Sequence, residues 1–257
     1  MFDLNIYFYG FVILALAAVF VWGVSLYRHN VDIVDSLWSL LFLFAALTYV
    51  YNTALISSRA NLLLGLVSIW ALRLCIYLTA RNWGHEEDRR YQAIRRRHEP
   101  GFAFSSVYRI FLFQAVLAWF ISLPLLGAIL SAAPFGILDY LGISLWVIGF
   151  IFEAVGDWQL SVFKRNPANA GQVMDQGLWR YTRHPNYFGD FCVWWGFYLM
   201  ALSAGAWWSI IGPMLMSMLL LKVSGVTLLE RDIGKRRPAY AEYIQRTNAF
   251  FPGVPRS

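Results

Sequence analysis

The chain has 257 residues, 59% of them apolar and 14% charged, with a mean hydropathy of +0.51. A soluble domain of this length carries about a quarter charged residues, so the composition excludes one and describes an integral membrane protein. The net charge is +6, but the cations sit in short stretches between apolar runs, which argues against nucleic acid as a partner.

A bilayer core demands about 20 apolar residues of a helix. Runs near 6–27, 33–53, 61–80, 107–131, 136–160, 186–205 and 207–228 meet that length. The expected fold is therefore all-α: one domain, an integral membrane bundle of seven transmembrane helices. The opening Met1-Phe2-Asp3-Leu4-Asn5 has no basic n-region, so the first run is expected to be a retained helix. Ser131-Ala132-Ala133-Pro134 breaks the chain after the fourth run, and a tight turn near Gly205 makes a hairpin of the last two.

Arginine and lysine cluster after runs one, three, five and seven, with Arg59 on the other side, which predicts the N-terminus out and the C-terminus cytoplasmic. The cytoplasmic segments are then Arg81–Ser106, Lys164–Pro185 and the tail from residue 229 to 257, expected to be one amphipathic helix lying over the membrane face. The bacterial inner membrane or its equivalent is the expected location, and a monomer the expected state. Cys75 and Cys192 lie in apolar runs and predict no disulfide framework. His29, His85, His98 and His184 form no metal-spaced pair, and no GxGxxG or P-loop pattern occurs.

Ionisable residues inside membrane runs are costly and mark a function or an internal partner. The fifth run carries Glu153 and Asp157, four apart, with Trp158 and Gln159 beside them. The sixth carries Asn186 and Asp190, again four apart on one helix face. A structural pairing of Glu153 and Asp157 with Arg73 or Lys222 stays open, as does a helix-cap role for Asp35. Between these runs lies Gly177-Leu178-Trp179-Arg180-Tyr181-Thr182-Arg183-His184-Pro185-Asn186-Tyr187-Phe188-Gly189-Asp190. Pro185 suits the first turn of a helix, whose free N–H groups and dipole favour an anion. Arg180 and Arg183 strengthen that seat for a phosphate or carboxylate. The bland alternative is a basic loop before an ordinary membrane helix.

This stretch, the upstream Glu153-xxx-Asp157-Trp158, and the tail pattern Arg236-Arg237-Pro238-Ala239-Tyr240-Ala241-Glu242-Tyr243 with Phe251-Pro252 resemble the DUF1295 branch of the steroid 5α-reductase superfamily. The resemblance implies a seven-helix membrane bundle. It also implies NADPH-dependent reduction of a carbon–carbon double bond in a steroid-like enone that enters from the bilayer. It places the cofactor on Asn82, Glu153, Asp157, Trp158, Lys164, Arg180, Tyr181, Arg183, His184, Asn186, Tyr187 and Asp190. Glu153 stands where the family has asparagine. Arg236, Arg237, Tyr240 and Tyr243 would close the tail over the cofactor. Asp35, with Tyr77 as the nearest tyrosine, would donate to the substrate's carbonyl oxygen. Isoprenylcysteine and phospholipid methyltransferases, which bind S-adenosylmethionine, share part of the Arg-His-Pro segment. The number of cations near it favours a pyrophosphate with a 2′-phosphate over that ligand. A transporter reading lacks the internal repeats it would call for.

Overall fold

The computed structural model describes residues 2–54, 56–223, 226, 230 and 239–256, and all its described regular structure is helical. The helices are α1 (Leu4–Arg28), α2 (Ile33–Asn52), α3 (Ser58–Asn82), α4 (Arg89–His98), α5 (Phe102–Ile121), α6 (Leu123–Ile129), α7 (Ile137–Arg165), α8 (Pro185–Ser203), α9 (Trp207–Val223) and α10 (Tyr240–Arg246). Among the described residues, α1, α2, α3, α5 and α7 are long and apolar enough to cross a membrane. α8 is not among these five, and α9 is a shorter apolar helix. Asn186 and Asp190 lower the apolar character of α8, and much of its surface is buried against protein.

The chain divides into two compact units, Met1–Phe135 with Ala201–Ser209, and Gly136–Met200 with Ile210–Ser257. In the first, side-chain caps start α1 and α3. Asp3 Oδ1 accepts from Asn5 and Ile6 N–H at 2.9 and 3.0 Å, and Ser57 Oγ accepts from Ala60 N–H at 3.1 Å. The core collects on α2 and α3, around Phe42, Tyr49 and Trp70. Gly10 lets the Tyr49 ring lie on α1, since a Cβ there would sit 2.7 Å from the ring. The Tyr49 hydroxyl then reaches Ser122 Oγ at 2.8 Å. The fourth expected run starts earlier than the apolar pattern suggested and splits at Ser122. Pro124 opens α6, because a proline cannot give an N–H to a continuing helix. Arg59, buried, donates to the carbonyls of Ala133 and Pro134 at 2.8 Å each, which ties down the breaker segment. Gly205 makes the expected tight turn, with φ +83° and Ala206 N–H bonded to Ala201 O at 2.9 Å.

In the second unit α7 and α8 meet backbone to backbone. Gly142, Gly149 and Gly156 recur every seven residues on α7, and Gly189 and Gly196 do so on α8. A Cβ on Gly149 would lie 2.5 Å from the Gly189 carbonyl oxygen, and one on Gly142 would lie 2.7 Å from that of Gly196. Small residues are what permit such an approach between membrane helices. The tail differs from the expected single helix: α10 has seven residues, and beyond Thr247 the chain is non-helical. Arg236 and Arg237 lie outside the described residues.

Candidate functional site

The glycine seam of the second unit determines which polar groups face each other. Glu153 and Asp157 on α7 are each 3% exposed, and Asp190 on α8 is 9% exposed. Asn186, one turn before Asp190, donates from Nδ2 to Asp157 Oδ1 at 3.2 Å. The four polar residues singled out in the two runs thus lie along one tight helix interface. Trp158 turns the other way, 63% exposed. Lys164 is exposed in the last turn of α7, and Arg180 and Tyr181 are exposed on the segment that connects α7 to α8.

That segment is stitched to α7. Gly177 has φ +59°, and Gln159 fills the space a Cβ would need. Gln159 Oε1 accepts from Leu178 N–H at 3.0 Å, and Trp179 Nε1 donates to Gly156 O at 3.0 Å. Pro185 begins α8, as expected from its missing N–H. Just before it, the Thr182 hydroxyl donates to Phe250 O at 2.8 Å and accepts from His184 N–H at 3.3 Å.

Arg183 points away from the helix entrance and into the tail. Its Nε and Nη2 reach the two oxygens of Glu230 at 2.7 and 2.9 Å, and its Nη1 donates to the carbonyls of Ile244 and Thr247. Its backbone N–H donates to Asn248 O at 2.9 Å. His184 Nε2 lies 3.0 Å from Glu230 Oε1, and its ring stacks on Tyr187 at 5.6 Å. The result is a latch: Glu230 at the tail's start, with both side chains of the Arg-His pair on one carboxylate. Burial alone would raise the Glu230 carboxyl, but hydrogen bonds from His184 and Arg183 and the arginine's charge outweigh it and hold it at about 2. Burial would lower the Arg183 guanidinium, but its bonds to Glu230 raise it. Tyr240 and Tyr243 are both buried, and the Tyr243 hydroxyl donates to Trp179 O. Burial pushes the Tyr240 phenol up to about 12.

The first unit holds a separate polar cluster. Asp35 Oδ1 accepts from the Tyr91 hydroxyl at 2.5 Å, and Oδ2 from Arg90 Nη2 at 3.1 Å, with Arg81 at 3.8 Å. Asp35 is thus a hydrogen-bond acceptor in this arrangement rather than a donor. It does not cap α2, whose N-cap is Asp32; the Asp32 carboxylate accepts from Asp88 N–H. Burial, reinforced by the Asp35 charge, raises the Tyr91 phenol well above its ordinary value. Gln114 Nε2 lies 3.5 Å from that hydroxyl. Tyr77 sits instead under the Arg81 guanidinium at 5.9 Å, and Asn82 Oδ1 accepts from Arg81 Nε at 3.0 Å.

Sequence reasoning missed Glu230, Tyr91 and the glycine seam. The glycines did leave a signal in their sevenfold spacing. Glu230 and Tyr91 left none, since their partners lie 47 and 56 residues away. No group of three or more His, Cys, Asp or Glu among the described residues is placed to hold a metal ion.

Five apolar spans and a buried polar seam between two closely packed helices define a multi-pass, all-helical membrane protein. The chain belongs to the DUF1295 family, described as a protein family of unknown function, whose model matches residues 21–247. It is similar to an uncharacterized protein of Schizosaccharomyces pombe. The two are 25% identical over an alignment of 296 residues that covers 100% of this chain and 82% of the relative. No solved structure matches.

Proposed function

We propose that this protein is an NADPH-dependent reductase of a carbon–carbon double bond conjugated to a ketone, acting on a steroid-like substrate that enters from the bilayer. The observation that carries the reading is the seam of α7 and α8, where an amide and buried carboxylates converge beside a segment bearing exposed cations. The donor set suits the cofactor. Asp157 and Asn186 are assigned the nicotinamide and ribose end, with Asp190 a turn further along α8. Lys164 and Arg180 are assigned the phosphates, as groups that can spread charge over several oxygens. Arg183 and His184 drop out of the direct binding set, because Glu230 and the tail carbonyls already engage them. They hold the tail instead.

NADPH held by these residues would supply the hydride for the β-carbon and be left as NADP⁺. Negative charge then grows on the substrate's ketone oxygen, and a positioned donor stabilises it. Asp35 and Tyr91 do not supply that donor, since Asp35 accepts and the one hydroxyl proton of Tyr91 goes to it. The α-carbon would take its proton from solvent, which completes the reduction. On this reading seven helices cross the bilayer, α8 and α9 with the five apolar ones, and the cofactor binds on the cytoplasmic side.

One observation favours a second reading. With Arg183 committed to Glu230, fewer cations remain for a pyrophosphate, and S-adenosylmethionine, which has no phosphate, needs fewer. Thermal shift of the detergent-purified chain with NADPH, NADH and S-adenosylmethionine separates the two, since a ligand selective for the folded state raises its stability. Stabilisation by NADPH above NADH is expected. Stabilisation by S-adenosylmethionine alone would replace the reductase with a methyltransferase.

A further inference from the structure

We infer that the outward face of α4 is a binding surface for anionic phospholipid headgroups of the bilayer in which the chain sits. The helix divides its arginines between two jobs. Arg90 is paired with Asp35 and Asp88, and Arg95 makes two hydrogen bonds to Glu87 at 2.9 and 2.7 Å. These pairs, with buried Tyr91, fasten one side of α4 to the start of α2. Arg89 and Arg96, seven residues apart, lie on the stripe opposite Tyr91, and Arg97, seven after Arg90, borders it. All three are exposed, and none has an acidic partner among the described residues. Had α4 only needed solubility, mixed charges would serve. Here the acids are turned inward, and outside them only Glu86 and Glu99 are exposed near the helix.

The chain holds this face at the membrane surface. Three residues separate His98 from Phe102, where the apolar span α5 begins. An extended chain rises at most about 3.6 Å per residue, so α4 cannot leave the first turn of α5 by more than about 14 Å. Trp83 is 67% exposed, Phe104 75% and Tyr108 55%, the side chains that sit at the headgroup level of a bilayer. Exposed Arg109 lies on the same stretch as Phe104 and Tyr108. Unpaired guanidinium groups at that depth find phosphate oxygens, which they bind in a planar fork.

The test is retention of lipid by the full chain, purified from nanodiscs of equal parts phosphatidylcholine and phosphatidylglycerol and read by mass spectrometry. The wild type should carry phosphatidylglycerol above the bulk ratio, the more so at low salt. Arg89→Gln, Arg96→Gln and Arg97→Gln should lower that enrichment by about fivefold each. The three replaced together by lysine should keep most of it, which separates lost charge from lost folding. Equal enrichment in the triple glutamine variant and the wild type would overturn the inference. So would an acidic polypeptide or oligonucleotide binding this face while phosphatidylglycerol is ignored.

Discussion

Replacing Glu230 with glutamine should loosen the tail by about 3 kcal/mol, and two lines of reasoning give that size. Arg183 is 8% exposed in its side chain and Glu230 19%. Removing one partner of a buried, bidentate pair costs about 3–5 kcal/mol, because the remaining charge is left desolvated; the partial exposure of Glu230 points to the lower end. Independently, a carboxyl held at about 2 against an ordinary 4.5 is worth about 3 kcal/mol at neutral pH. The tail is a local unit, so the readout is local. The amides of Arg183, bonded to Asn248 O, and of Gly253, bonded to Tyr181 O, report its closure. Hydrogen exchange at these amides should speed up by about two orders of magnitude in Glu230→Gln, while exchange in α2 stays as it was. An increase of less than about threefold would mean the pair behaves like an exposed surface bridge, and the latch would have to be abandoned.

The same carboxylate sets a pH dependence. Its folded-state value lies below its unfolded one, so its stabilisation is complete above pH 4.5 and is lost as the pH falls towards 2. Tail exchange should accordingly rise through that window, and Glu230→Gln should flatten the rise. At the seam, Gly189→Ala places a Cβ 2.5 Å from backbone atoms of Gly149 and Glu153 and should cost about 3 kcal/mol by thermal unfolding. Gly65→Ala on α3, where a Cβ meets nothing within 4 Å, should be neutral or stabilising by up to about 1 kcal/mol. In ligand titrations Asp190→Ala should weaken NADPH binding more than Asp35→Ala does. Equal losses would undo the division of roles between the two clusters.

Helices whose apolar runs meet lipid were readable from the chain. α1, α2, α3 and α7 fall where run length places them, and Pro185 and Gly205 mark the start of α8 and the turn after it. The sixth and seventh runs were read as spans, but α8 is not among the five helices long and apolar enough to cross a membrane, and α9 is a shorter apolar helix. The split at Ser122 was legible in Pro124, but it sat within an unbroken apolar run. Candidate site residues divided in the same way. Asp157, Asn186 and Asp190 were visible because a charge or amide within an apolar run has few reasons to be there. Arg183 looked like an anion seat from its neighbours alone. Its actual partner, Glu230, lies 47 residues on, and only the folded tail brings the two together. Tyr91 was hidden likewise, since α4 reads as a polar, basic loop helix until its inner face meets Asp35.

The most direct test of the proposed chemistry follows the hydride itself. The purified chain would be given NADPH deuterated at the transferable position of the nicotinamide, with a panel of Δ4-3-keto steroids. Deuterium on the β-carbon of a saturated product, with loss of transfer in Asp157→Ala, is the predicted result. No deuterium transfer to any enone, together with methyl transfer from S-adenosylmethionine to a prenylated thiol or phospholipid amine, would contradict it.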